Sequence, residues 1–149
     1  MKKTIIIITL TILLSISVIF NVIDLVNNKT NTNTTINTYL SKIEAEITSD
    51  TTDYSNDEDL NLYIDISTAN LAVLVSNKDY PESFINIVAK NHGYDGYTDM
   101  VNKLIDWNLL VYIPEYTHSA HGLMCETIVT PNTVGYELAV EEGIIKEVK

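Results

Sequence analysis

The chain has 149 residues, 46% of them hydrophobic, and a formal net charge of −11 from nine Lys, no Arg and twenty Asp and Glu. That length holds one domain once terminal and linker segments are set aside, and the single cysteine, Cys125, excludes an intramolecular disulfide. Residues 1–49 carry four Lys and three Asp or Glu, residues 50–149 five Lys and seventeen Asp or Glu; so acidic a surface repels phosphate backbones and argues against nucleic acid as a partner.

Lys2 and Lys3 precede an uncharged apolar run, Thr4 to Ile23, closed by Asp24. As a helix this run is long enough to cross a bilayer. Ser15-Ile16-Ser17 offers a small-x-small cleavage site, which would leave a secreted domain. The apolar run continues beyond it through Val18, Ile19, Phe20, Val22 and Ile23, which favours a retained signal anchor. The expectation is a transmembrane helix at Ile5–Ile23 within residues 1–24. The protein would then be single-pass in the cell membrane, with its C-terminal part extracytoplasmic.

Residues 25–59 read as a polar and acidic stalk. Asn27–Asn37 has almost nothing to bury and predicts a flexible spacer. Leu40, Ile43 and Ile47 share one face of a short helix at Tyr39–Thr48. Ser49–Asp59 is acidic and predicts a mobile link.

Residues 60–149 predict a small globular α+β domain. Leu60, Leu62, Ile64 and Ile66 alternate with polar residues, the period of a half-buried strand. Thr68–Ser76 is apolar and fits helix or strand. Pro81 and Ser83 open a helix that Gly93 stops, with Phe84, Ile87 and Val88 on one face. Thr98 opens a second, with Val101, Leu104 and Ile105 inward. Leu109–Ile113 and Thr127–Thr130 read as strands flanking a loop at Glu115–Met124. Val134, Leu138 and Val140 define a last helix ending at Gly143, and Ile144–Val148 a final edge strand.

The segment DMVNKLIDWNLLVYI resembles a recognition helix running into a wing strand. TIVTPNTVGYELAVEEG resembles a second wing strand followed by a closing helix, with Thr130, Pro131, Gly135 and Leu138 matching and an extra residue pair before the glycine. Tyr80 to Gly143 is thus similar to winged helix-turn-helix domains, which implies a winged-helix-like fold and DNA reading. The charge departs from that pattern. Thr98–Asn108 has Lys103 against Asp99 and Asp106, and the presumed wing has Glu115 and Glu126 with no Lys.

Ligand-type residues concentrate between Glu115 and Glu126, where His118, His121 and Cys125 are the candidate metal ligands. Imidazole and thiolate are the donors that zinc and copper select. HxxHxxxC is not an established spacing, and the competing reading is an exposed loop with two solvated histidines and a buried thiol. Asp57, Asp59, Asn61 and Asp65 fit part of a calcium-loop register that lacks its glycine and its terminal glutamate. Trp107 falls beside the Leu104 face and reads as core or core-edge. Ser119, between two histidines, sits on no nucleophile elbow, and no arrangement supports an enzyme. The functional expectation is a membrane-anchored, exported protein-interaction module, its partners the membrane and another protein. The alternatives are a membrane-tethered winged-helix transcriptional regulator and a metal-binding exported protein.

Overall fold

The computed structural model describes residues 2–63 and 66–148, with side chains from residue 17 onward. Its elements in order are α1 (Lys2–Ser49), α2 (Glu58–Leu62), α3 (Thr68–Ser76), α4 (Glu82–Asn91) and α5 (Tyr97–Asp106). The strands β1 (Val111–Ile113), β2 (Tyr116–His118), β3 (Gly122–Met124) and β4 (Thr127–Val129) follow, then α6 (Val134–Glu141). The class is α+β. Two compact units divide the chain, Met1–Tyr39 and Leu40–Lys149.

The first unit corrects the reading of the N-terminus. The helix does not stop at Asp24 but belongs to one of 48 residues. The Asn/Thr tract expected to be a flexible spacer is helical. Its threonines return their hydroxyls to the preceding turn: Thr30, Thr34 and Thr38 donate to the carbonyls of Val26, Thr30 and Thr34 at 2.9 Å. Much of the predicted span at Ile5–Ile23 lies outside the described side chains. Among the described residues no helix is long and apolar enough to cross a membrane. That finding overturns the transmembrane helix. The signal anchor, the single-pass topology, the extracytoplasmic placement and the membrane as a partner fall with it.

In the second unit, Leu40, Ile43 and Ile47 recur at helical spacing on the last turns of α1 and are buried there. α2 replaces the expected strand: Asp57 accepts the N–H of Asp59 at 2.9 Å and caps it, with Glu58 and Asp59 in its first turn. Asp57 therefore serves as a helix cap. Ile64 and Asp65, also assigned to that strand and to the calcium register, lie outside the described residues.

α3, α4 and α5 form the core with the end of α1. Leu71 and Leu74 face inward from α3, Phe84, Ile85 and Val88 from α4, and Met100, Val101 and Leu104 from α5. Glu82 in the first turn and Lys90 in the last complement the dipole of α4. Gly93, at φ 81°, supplies the left-handed residue that ends it. The joint to α5 is tight. Asn86 Oδ1 accepts the N–H of Tyr97 at 2.8 Å, and a Cβ on Gly96 would lie 2.8 Å from that same oxygen.

β1 and β4 pair antiparallel, as do β2 and β3. Val111 faces Val129 and Ile113 faces Thr127; Tyr116 faces Met124 and His118 faces Gly122. The paired residue numbers add to the same value in both ladders, so the register is continuous. The four strands are therefore one long hairpin, interrupted where Pro114 has no N–H to give. The region expected to be an open loop, Glu115–Met124, is the outer half of this hairpin. Thr133 caps α6 by accepting the N–H of Tyr136 at 3.3 Å. Ile113, Tyr116 and Ala139 form a second cluster with Met124, Val129 and Ile145, which packs the hairpin against α6. Residues 144–148 form no strand.

Candidate functional site

α5 and the hairpin are the elements whose sequence resembles a recognition helix and its wing, and their exposed chemistry bears on what they can bind. Lys103 is the one cation on α5, and its Nζ lies 2.9 Å from Asp99 Oδ2 and 5.2 Å from the centre of the Tyr94 ring. The Lys103 ammonium and the N–H of Asp95 hold the Asp99 carboxyl below the usual range, and Asp99 in turn pushes Lys103 up. The charge of Lys103 is thus already balanced within its own helix. Asp106, one turn on, is exposed.

Beside α5 lies an open pocket of about 380 Å³ lined by Glu44, Asp95, Gly96, Thr98, Asp99 and Asn102. Thr98 donates its hydroxyl to Glu44 Oε2 at 2.6 Å, tying the end of α1 to the start of α5. The pocket presents carboxylates and no cation.

Trp107 is 55% exposed, where the periodicity placed it in the core or at its edge. Met100 and Leu104 are buried, and continuing that face would bury position 107. The helix ends at Asp106, Trp107 is its C-cap, and Asn108 turns into the left-handed region at φ 58°. The change of backbone swings the indole outward. The mark of the helix end in the sequence is Asn108, since asparagine takes the left-handed position after a helix where glycine is absent.

The hairpin tip shows where the predicted ligands go. His118 is buried at 5% exposure. Its Nδ1 accepts the N–H groups of Ala120 at 3.0 Å and His121 at 3.1 Å, so the ring proton sits on Nε2. Nε2 lies 3.8 Å from Glu142 Oε1, and Ser119 donates its hydroxyl to that same oxygen. The His121 ring stacks on His118 with centroids 4.8 Å apart. Cys125 is exposed, beyond the end of β3. The structure thus brings the two histidines together and gives the buried one to the turn. Among the described residues no group of three or more His, Cys, Asp or Glu side chains is placed to hold a metal ion. His92, the remaining histidine, has its Nε2 2.8 Å from the Tyr63 carbonyl. Glu142, which the sequence did not single out, is the residue that joins the tip to α6.

The hairpin carries no lysine. Glu126 accepts the Tyr112 hydroxyl at 2.7 Å and lies 3.4 Å from the Lys42 ammonium of α1.

No protein-family model matches the sequence, and neither a curated protein nor a solved structure matches it significantly.

Proposed function

We propose that residues 40–149 are a protein-interaction module that docks a basic partner on the outer face of α5 and Trp107. The observation that carries this reading is the pairing on α5: its single cation is neutralised by Asp99, which leaves the exposed Asp106 as the helix's remaining charge beside an exposed indole. Tryptophan is a favoured anchor of protein interfaces, and carboxylates around it steer cationic partners.

Three helices, a long hairpin and a closing helix favour a winged-helix-like frame. The regulator reading that this frame suggests is opposed by charge. Binding DNA requires several unpaired cations against phosphate, and here neither α5 nor the hairpin offers one.

Trp107 is the only tryptophan in the chain, so its fluorescence reports on the site directly. Titrating the protein with an oligolysine peptide should change that signal with an affinity that falls as salt rises. Trp107→Ala, followed by calorimetry, should weaken binding by about tenfold or more. Duplex DNA should leave the fluorescence unchanged at low salt. Binding of DNA in preference to oligolysine would overturn the reading.

A further inference from the structure

The segment Asp50–Tyr63, which includes α2, lies in the second unit, and none of its residues is buried. Two tyrosines fasten it to α4. The Tyr54 ring meets Phe84 edge-on at 5.5 Å, and its hydroxyl lies 3.1 Å from Ser83 Oγ. Tyr63 meets Phe84 edge-on at 6.1 Å and Tyr80 at 5.4 Å, and its hydroxyl bonds that of Tyr80 at 3.1 Å. His92 holds the Tyr63 carbonyl, and Ser83 hydrogen-bonds Asp50. Under these rings Phe84 is 2% exposed.

Charge works against these contacts. The segment holds Asp50, Asp53, Asp57, Glu58 and Asp59 with no Lys, and residues 66–149 hold five Lys against eleven Asp and Glu. Asp59 of the segment and Asp79 of the body both act on Tyr80. They help to push its phenol up to about 12, after its hydrogen bond with Tyr63 and desolvation. Segment and body both carry net negative charge, and the repulsion between them weakens as salt screens it.

We propose that Asp50–Tyr63 is a releasable strap over Phe84, pegged by Tyr54 and Tyr63, lifted by like-charge repulsion and closed by ionic screening. Lifting it removes the two edge-on tyrosines from Phe84 and leaves Tyr80 stacked on the ring at 5.2 Å, while the core formed by α3, α5 and the end of α1 keeps its packing. The low local stability of such a segment is visible to hydrogen exchange.

The test is amide exchange of the full chain, read by mass spectrometry, at about 10 mM and about 500 mM potassium chloride. Amides of residues 54–63 should exchange about tenfold faster at the lower salt, with those of α5 unchanged. The triple variant Asp53→Asn/Glu58→Gln/Asp59→Asn should be protected at both salts. Tyr63→Ala should exchange fast at both. Strap exchange independent of salt in the wild type overturns the proposal. So does salt dependence that persists in the triple variant, full protection in Tyr63→Ala, or a parallel change in α5.

Discussion

His118 and His121 meet twice at the tip of the hairpin: the His118 Nδ1 accepts the His121 N–H at 3.1 Å, and the two rings stack 4.8 Å apart. The side chain of His118 thereby does for this turn what an Asp or Asn side chain does in an Asx turn, where an oxygen accepts the amide two residues on. The turn also needs Gly122, whose φ of 80° lets the chain rejoin β3.

His118→Ala removes the acceptor of two amides together with a buried ring, and should destabilise the protein by about 1–2 kcal/mol. His118→Asn puts Oδ1 where Nδ1 stood and should recover part of that loss. Urea denaturation of the two variants measures the difference. Equal stability of His118→Ala and the wild type would show that the ring does not hold the turn.

Glu142 gives the tip its pH dependence. The Ser119 hydroxyl holds its carboxyl below the usual glutamate range, against the opposing effect of burial. A carboxyl whose folded pKa is depressed contributes stability that is present above its unfolded value and lost as pH falls through the folded one. The tie between Ser119 and α6 should therefore persist at neutral pH and weaken in acid. Ser119→Ala should bring the Glu142 titration back up toward an ordinary glutamate, as followed by carboxyl carbon NMR. An unchanged midpoint in that variant would remove Ser119 as the cause.

Tyr116 packs with Ile113 and Ala139, and its buried hydroxyl has no hydrogen-bond partner among the described residues. A buried donor left unmatched opposes folding. Tyr116→Phe keeps the ring and removes that group, so it should stabilise the protein by about 1 kcal/mol. Thermal denaturation reads the sign, and a lower melting temperature would mean that the hydroxyl does find a partner.

The sequence made α4, α5, β1, β4 and α6 legible because their signals are local. Gly93 ends one helix through its own backbone freedom, and Leu104 repeats the spacing of Met100 and Val101. The errors arise where a local pattern meets a competing interaction. Leu60–Ile66 alternates like a strand, yet the Asp57 cap starts a helix within it. The Asn/Thr tract looked unstructured on composition, but its hydroxyls bond back to their own helix. β2 was hidden because a polar residue, His118, takes an inward position beside Tyr116. On α6 the buried residues are Tyr136 and Ala139, and Leu138 is only half-buried, one position from the expected face. At the site, the acidity of α5 was readable. The outward turn of Trp107 depends on where the helix stops, and the role of Glu142 on contacts 23 residues away from Ser119.

One helix should give two opposite responses to the same substitution. Leu40 and Leu25 both lie on α1, but Leu40 is fully buried in the second unit and Leu25 is 66% exposed in the first. Truncating a buried leucine loses its transfer free energy and leaves a cavity, so Leu40→Ala should destabilise the globular unit by about 2–5 kcal/mol. Leu25→Ala removes a side chain that the fold does not cover, and should change stability by less than about 0.5 kcal/mol. Both are read from urea denaturation of the full chain, with Trp107 fluorescence as the signal from the globular unit. A small effect at Leu40 would detach the end of α1 from the core. A large effect at Leu25 would mean that the exposed apolar stretch is packed in the folded protein, contrary to the structure.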